Sequence, residues 1–432
     1  MNPAVSRPLD RAEAFFWFLD RCSSMNFAVM AEGEGPLAPE AFARAVANAQ
    51  RVHPLLAVAI ESPGGGPLAF VPRPEAAIAL ERQSPGEAWG ERIAKALARP
   101  FALDEAPLVR ALWHETGGGR WAAALVFQHC IADGRSGLRL LREVLEESLG
   151  LRTGQGPLAP RGPLTALFPA QYRGAEGAIR AQAWRAQLKT EGARRPETLP
   201  GFVRSGEPIR PGIISFRLEE GIVRGLVAKA RESGASVHGA LGAAELMACR
   251  ERFAGGADPR LMLTSPVDLR GHLAGPLDDA TPAFAVTLLT TAVEVKAEPD
   301  LWPLARHLTR DLRRQVAEGC GHLFYELVPP AETLPPTPEA VLGIRAYLAR
   351  MPTACVLSNA GAVPRVAGHG GVRVDGLSFA LCPMGHQPLF VAAATHGEAL
   401  AINVVHDDAR LPAAEARALA QSLESRLRQA AR

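Results

Sequence analysis

The chain has no stretch approaching the roughly 20 consecutive apolar residues that a membrane-spanning helix needs. Its N-terminus, MNPAVSRPLDRAEAFFWFLDRC, carries charges on both sides of a short apolar segment and lacks the apolar core of a secretion signal. A cytoplasmic location is therefore expected. Cysteine is sparse: Cys22, Cys130, Cys249, Cys320, Cys355 and Cys382 are far apart, without a CxxC pair and mostly inside apolar stretches. That spacing argues against a disulfide framework and against a structural zinc site. An excess of one charge is missing too. Lys and Arg total 47 against 45 Asp and Glu, a formal net charge of +2, and the two signs are interspersed. With no basic patch interleaved with aromatics, nucleic acid is not an expected partner.

Familiar catalytic signatures are also lacking. The sequence contains no GxSxG elbow, no GxxxxGK[ST] phosphate loop, no GxGxxG after a strand, no HExxH and no His, Cys and Asp cluster at metal-ligand spacing. No metal, bound flavin or nucleotide, or covalent serine is thus expected to carry chemistry here.

What is present is core material for two domains: 432 residues, 47% hydrophobic and 21% charged. Asp10 and Glu13 form a capping-box pattern ahead of a helix over 10–22, with Phe15, Trp17, Phe18 and Leu19 as its apolar side. A second helix fits 39–52, ended by His53-Pro54, and a strand is read over 55–60. Strands follow at 68–71, 108–113 and 121–128, the last two joined through Gly117-Gly118-Gly119. Leu138, Leu141, Val144 and Leu145 fall on one face of a helix over 136–148. Residues 150–212 are rich in Gly, Pro and Arg and read as a connector, helical at 175–190. The second half gives strands at 213–218, 261–267, 284–295, 353–358, 372–381, 388–395 and 399–406. Its helices are expected at 220–232, 237–252, 301–318, 338–349 and 412–429. Several long strands without regular βα alternation point to two α/β sandwich domains. The divisions are 1–165, a connector 166–212, and 213–432.

The segment Gln128-His129-Cys130-Ile131-Ala132-Asp133-Gly134 follows the apolar run WAAALVF of 121–127, a buried strand. His129 is either a satisfied core histidine or a general base, since an imidazole near its reference value of about 6.5 accepts a proton at neutral pH. Asp133 can orient that imidazole or fix the loop by pairing with a cation. Gly134 supplies the backbone freedom of a tight turn and close approach. In the second half, Arg270 follows an apolar strand and needs a carboxylate if buried. Asp133 is one candidate, and a local pair with Asp268 or a helix-capping role is the other. Ser358 and Asn359 follow the strand ACVLS, where they form a turn or donate a hydrogen bond to an oxyanion.

Taken in order, these segments resemble the condensation-domain-like acyltransferases, whose motif is HHxxxDG. The resemblance rests on His53-Pro54-Leu55-Leu56, Pro100-Phe101, Ala106 to Arg110, His129 to Gly134, Pro266 to Arg270, and Ser358 to Gly361. It spans nearly the whole chain and is nearest to the stand-alone group, the phthiocerol dimycocerosate-type acyltransferases and alcohol acetyltransferases. Gln128 stands where the family's first histidine falls, and LSFALCPMG replaces the DFGWG of peptide condensation domains.

The resemblance implies two chloramphenicol-acetyltransferase-like sandwich domains arranged in a V with a channel between them. It implies an acyltransferase, His129 being the base that activates a hydroxyl or amine of a secondary metabolite or lipid. The acyl donor is then a thioester of coenzyme A or of an acyl or peptidyl carrier protein, with no covalent acyl-enzyme and no bound cofactor. Asp133, Gly134 and Arg270 support the site, while Ser358 and Asn359 contact the oxyanion or substrate. The alternatives are a catalytically silent carrier-protein docking module and a condensation or cyclisation enzyme working on a carrier-bound substrate. Two fused domains can complete such a channel alone, so a monomer is expected.

Overall fold

The computed structural model describes residues 7–82, 86–102, 104–153, 155–191, 196–198, 207–255, 258–277, 281–297, 300–352 and 355–432. The first half runs β1 (Arg7–Pro8), α1 (Arg11–Cys22), β2 (Phe27–Glu34), α2 (Pro39–Val52), β3 (Val58–Glu61), β4 (Ala69–Pro72), β5 (Leu80–Arg82), α3 (Trp89–Ala98), β6 (Val109–Gly117), β7 (Arg120–Phe127) and α4 (Gly134–Ser148). After α5 (Gly174–Glu191) come β8 (Pro211–Leu218), α6 (Glu220–Glu232), α7 (Val237–Phe253), β9 (Arg260–Asp268), β10 (Val286–Glu294), α8 (Leu301–Ala317) and α9 (Cys320–Leu327). The chain ends with α10 (Pro338–Leu348), β11 (Cys355–Val363), β12 (Arg373–Leu381), β13 (Leu389–His396), β14 (Ala399–Asp407) and α11 (Ala413–Ala430).

Two large sheets organise these elements into two lobes. The first has the strand order β12-β2-β7-β6-β5 and the second β10-β9-β11-β13-β14-β8. In the first sheet β7 is central, flanked by antiparallel β2 and β6, and all its residues but Arg120 are buried. Burial on both faces explains why its sequence shows no polar alternation. The β6–β7 hairpin turns through Gly117, Gly118 and Gly119, whose φ values of 83°, 59° and 75° lie in the left-handed region that glycine adopts without strain. In the second sheet β11 is parallel to both β9 and β13. Helices α7, α8 and α11 bury their small and leucine-rich faces against it in a separate core.

β12 lies within 213–432 yet pairs antiparallel with β2, from Leu381 opposite Phe27 to Arg373 opposite Glu34. That span of the chain therefore contributes to both sheets.

The capping box of α1 is formed, with Asp10 N donating to Glu13 Oε2 at 2.6 Å. The strand read over 55–60 begins later, because Pro54–Ala57 makes a turn of 3-10 helix and β3 starts at Val58. Proline, with φ fixed and no N–H, suits that turn rather than a ladder. Five elements absent from the sequence reading are β1, β2, β5, α3 and α9. Within the connector, α5 is the longest regular element, while 192–195 and 199–206 lie outside the described residues, as do 353–354 of the strand expected over 353–358.

α4 lies close on β2 because Gly137 has no side chain. A Cβ there would meet Phe27 Cε2 at 2.8 Å and Val29 Cγ1 at 2.9 Å. Glu245, in α7, is fully buried, and neither carboxyl oxygen has a hydrogen-bond partner among the described residues. Burial raises its pKa from the ordinary 4.5 to about 8, so the folded protein carries it protonated at neutral pH.

Both packing features can be tested by unfolding. Helix propensity alone favours alanine over glycine by about 1 kcal/mol, but Gly137→Ala is expected to destabilise by about 1–3 kcal/mol through overpacking against Phe27. A urea melt reads the sign directly. Glu245 contributes full stability below its unfolded value near 4.5, and that contribution is lost as pH rises through its folded value near 8. Wild-type stability should therefore fall by on the order of a few kcal/mol across this window, and Glu245→Gln should remove that fall. Parallel urea melts of the two proteins at several pH values test it, and identical pH dependence would contradict the assignment.

Candidate active site

β7 delivers the site. Its ladder extends one residue, Gln128 N donating to Leu108 O at 3.0 Å, and the buried Gln128 side chain accepts from Cys130 N at 2.7 Å. This fixes the turn in which His129 projects. The His129 side chain lines a cavity of about 670 Å³ between the lobes, together with Asp133, Gly134, Thr264, Ser358 and Phe379. Most of the remaining lining is hydrocarbon, including Leu19, Val286, Leu288, Phe324 and Ile344.

Only 8% of His129 is exposed. Three phenyl rings enclose it: Phe27 at 4.9 Å, Phe16 at 5.0 Å and Phe284 at 5.5 Å between centroids, all inclined to the imidazole plane. Nδ1 is buried and makes no hydrogen bond within normal geometry, which leaves Nε2 as the nitrogen available to a ligand. Burial lowers the imidazole pKa below its ordinary 6.5, opposed by the backbone carbonyls of His129 and Ala132 and by the charges of Asp133 and Asp20. The ring is thus a neutral imidazole at neutral pH.

Asp133 makes no hydrogen bond to His129 among the described residues. It caps α4 instead, Oδ1 accepting from Ser136 N at 2.8 Å, while Oδ2 accepts from Ala285 N at 3.0 Å and from Arg270 Nη1 at 2.9 Å. Burial would raise this carboxyl, but the Arg270 guanidinium and the two N–H donors hold it below the ordinary range. Arg270 also donates to Asp268 Oδ1 at 2.8 Å and to Ser136 Oγ at 2.7 Å, so both carboxylates considered for it are its partners. Gly134, read as supplying the backbone freedom of a tight turn, has no positive φ. It is the first residue of α4, and an added Cβ would lie in ordinary contact, 3.4 Å from the Phe379 ring in the cavity.

Ser358 lines the cavity with His129. The Asn359 side chain is instead committed within β11, where it accepts from Gly361 N at 2.9 Å across the bulge that follows it, so that the turn expected here is an irregularity of a continuing strand. Sequence reasoning misses Phe16, Phe27, Ser136 and Phe284. Phe27 sits on the unread strand β2, and Phe16 escapes because α1, buried between the lobes, hides both of its faces. Among the described residues no group of three or more His, Cys, Asp and Glu side chains is placed to hold a metal, and no helix is long and apolar enough to cross a membrane.

The fold and sequence have counterparts. The chain is 27% identical over 323 residues to one of the plipastatin synthase polypeptides of Bacillus subtilis (strain 168), an alignment covering 71% of this chain but 12% of that much longer one. Polyketide synthase associated protein 5 from Mycobacterium tuberculosis superposes with a TM-score of 0.66 at 17% identity, covering 100% of this chain and 99% of the other. Trichothecene 15-O-acetyltransferase from Fusarium sporotrichioides superposes with a TM-score of 0.73 at 13% identity, covering 99% and 96%. At such identities the structural likeness is one of fold, and it is the two-lobed condensation-domain architecture. Residues 207–426, just over half the chain, match the family described as phthiocerol/phthiodiolone dimycocerosyl transferase C-terminus. The chain belongs to that family.

Proposed function

We propose that the protein moves an acyl group from a coenzyme A or carrier-protein thioester to a hydroxyl or amine of a small-molecule acceptor, with His129 as general base. The observation that carries this reading is the imidazole itself. It is kept neutral by burial, and Nε2 is its available nitrogen at the wall of an apolar cavity between two lobes.

The chemistry follows from that placement. Nε2 takes the proton of the acceptor O–H or N–H while the acceptor atom bonds to the thioester carbonyl carbon. The charge on the resulting oxyanion needs a donor, and the Ser358 hydroxyl or a backbone N–H near Gly134 is the candidate, both residues lining the cavity. Collapse breaks the C–S bond, and the proton held by His129 passes to the departing thiolate. No acyl-enzyme forms. The hydrocarbon lining suits an apolar acyl or acceptor moiety and excludes the water that would hydrolyse the thioester.

A second reading is condensation or cyclisation on a carrier-bound substrate. It is favoured by the sequence similarity to plipastatin synthase and by the fold shared with the cyclization-docking bidomain of EpoB from Sorangium cellulosum. The docking-module reading is the further alternative, in which thioester binding would persist without turnover.

His129→Ala is expected to lower kcat by about 10²–10⁴-fold, with thioester binding retained. Mass spectrometry of reactions offering acyl-coenzyme A, acyl-carrier and peptidyl-carrier thioesters reads which donor is consumed, and turnover unchanged in the variant would defeat the base assignment. Since the base works deprotonated and burial holds its pKa below 6.5, the acid limb of kcat/KM should fall below the ordinary imidazole value. An acid limb at or above that value would contradict this picture.

A further inference from the structure

The short segment 281–285, ahead of β10, belongs to the C-terminal half yet is bound to the turn that follows His129. Ala283 O accepts from Asp133 N at 3.1 Å, Ala283 N donates to Ser136 Oγ at 3.1 Å, and Ala285 N donates to Asp133 Oδ2 at 3.0 Å. Arg270 closes the set by holding Asp133 and Ser136 together. Both peptide neighbours of Phe284 are therefore tied to 133–136, and the residue between them has little freedom to move.

Phe284 is 3% exposed, and its ring packs 5.5 Å from the imidazole and 4.5 Å from Phe16. Nδ1 makes no hydrogen bond of normal geometry, although the carbonyls of His129 and Ala132 lie near enough to favour the charged ring. The walls around the ring therefore share in setting its orientation, and Phe284 is the wall supplied by the opposite half of the chain. We propose that Phe284 is a positioning residue for His129, and that Asp133 and Arg270 serve the site through Phe284 rather than by touching the imidazole. The charged groups facing the imidazole are Asp133 from its own loop and Asp20 from α1, with Arg270 behind Asp133. None of these is removed by changing Phe284, so a change in the behaviour of His129 would report the loss of the ring.

The inference rests on His129 being the base, and the experiment separates the two. Phe284→Ala, in the full chain with turnover normalised to the folded fraction, should lower kcat about 10–100-fold with KM changed less than about threefold, because a loosened base is misaligned. Water reaching the imidazole should move the acid limb of the pH profile up toward the ordinary value. Phe284→Leu should recover much of the loss. Asp133→Ala and Phe284→Ala should be non-additive, the double variant being little worse than Asp133→Ala alone, since both disable one device. Phe284→Ala with kcat and acid limb unmoved, or fully multiplicative losses in the double variant, would overturn the proposal. Phe284→Ala that merely melts earlier while the acid limb stays in place assigns Phe284 to packing and overturns it as well. If His129→Ala lowers kcat as expected while Phe284→Ala leaves kcat and the acid limb unmoved, only this inference fails; if His129→Ala is fully active, the underlying reading fails.

Discussion

The structure depends on a buried ion pair between Asp133 and Arg270. A carboxylate taken out of water costs far more than a fold can spare unless its lone pairs are satisfied. Asp133 meets that demand with one guanidinium and two backbone N–H groups drawn from both halves of the chain. Because the partners come from α4, from the residues just after β9 and from the segment before β10, satisfying the charge requires the lobes to meet in one arrangement. Removing either partner would strand a buried charge, which typically costs about 3–5 kcal/mol. The pair thus acts as the register between lobes, and the cavity wall is laid over it.

A contrast within the molecule clarifies how the site is made. His129 and Glu245 are both buried ionisable groups pushed toward neutrality by the loss of water. Glu245 is sealed in the core of the second lobe, fully buried, where desolvation alone sets its protonation. His129 is wrapped on its sides by phenyl rings but lines a cavity. The same desolvation that makes one group inert makes the other a base that stays unprotonated, and the difference is access.

Much of the site is readable from local sequence. The apolar run ahead of His129 announces a strand buried on both faces, and the Asp133 position announces a turn into a helix, because both features are written in adjacent residues. The Arg270 partner can be narrowed to Asp133 or Asp268, and the guanidinium takes both, which a one-partner rule does not anticipate. What escapes is determined at a distance. Phe284 means nothing until 281–285 is folded under the turn, and β2 is hard to read because its apolar first half, Phe27 to Met30, gives way to the Glu-Gly alternation of Ala31 to Glu34. Gly134 has a backbone freedom that its helical position does not use. Gly137, which carries no motif, is where the missing side chain matters.

The crossing of β12 into the first sheet has a consequence for the cavity. That strand is laddered to β2 along its length, while the next strand in sequence, β13, sits inside the other sheet. Hinging the lobes apart like a clamshell would tear this ladder or stretch the short passage from Cys382 to Pro388 between the two strands. The stretch of cavity wall that Phe379 and Leu381 of β12 supply is consequently fastened to the same sheet that carries His129.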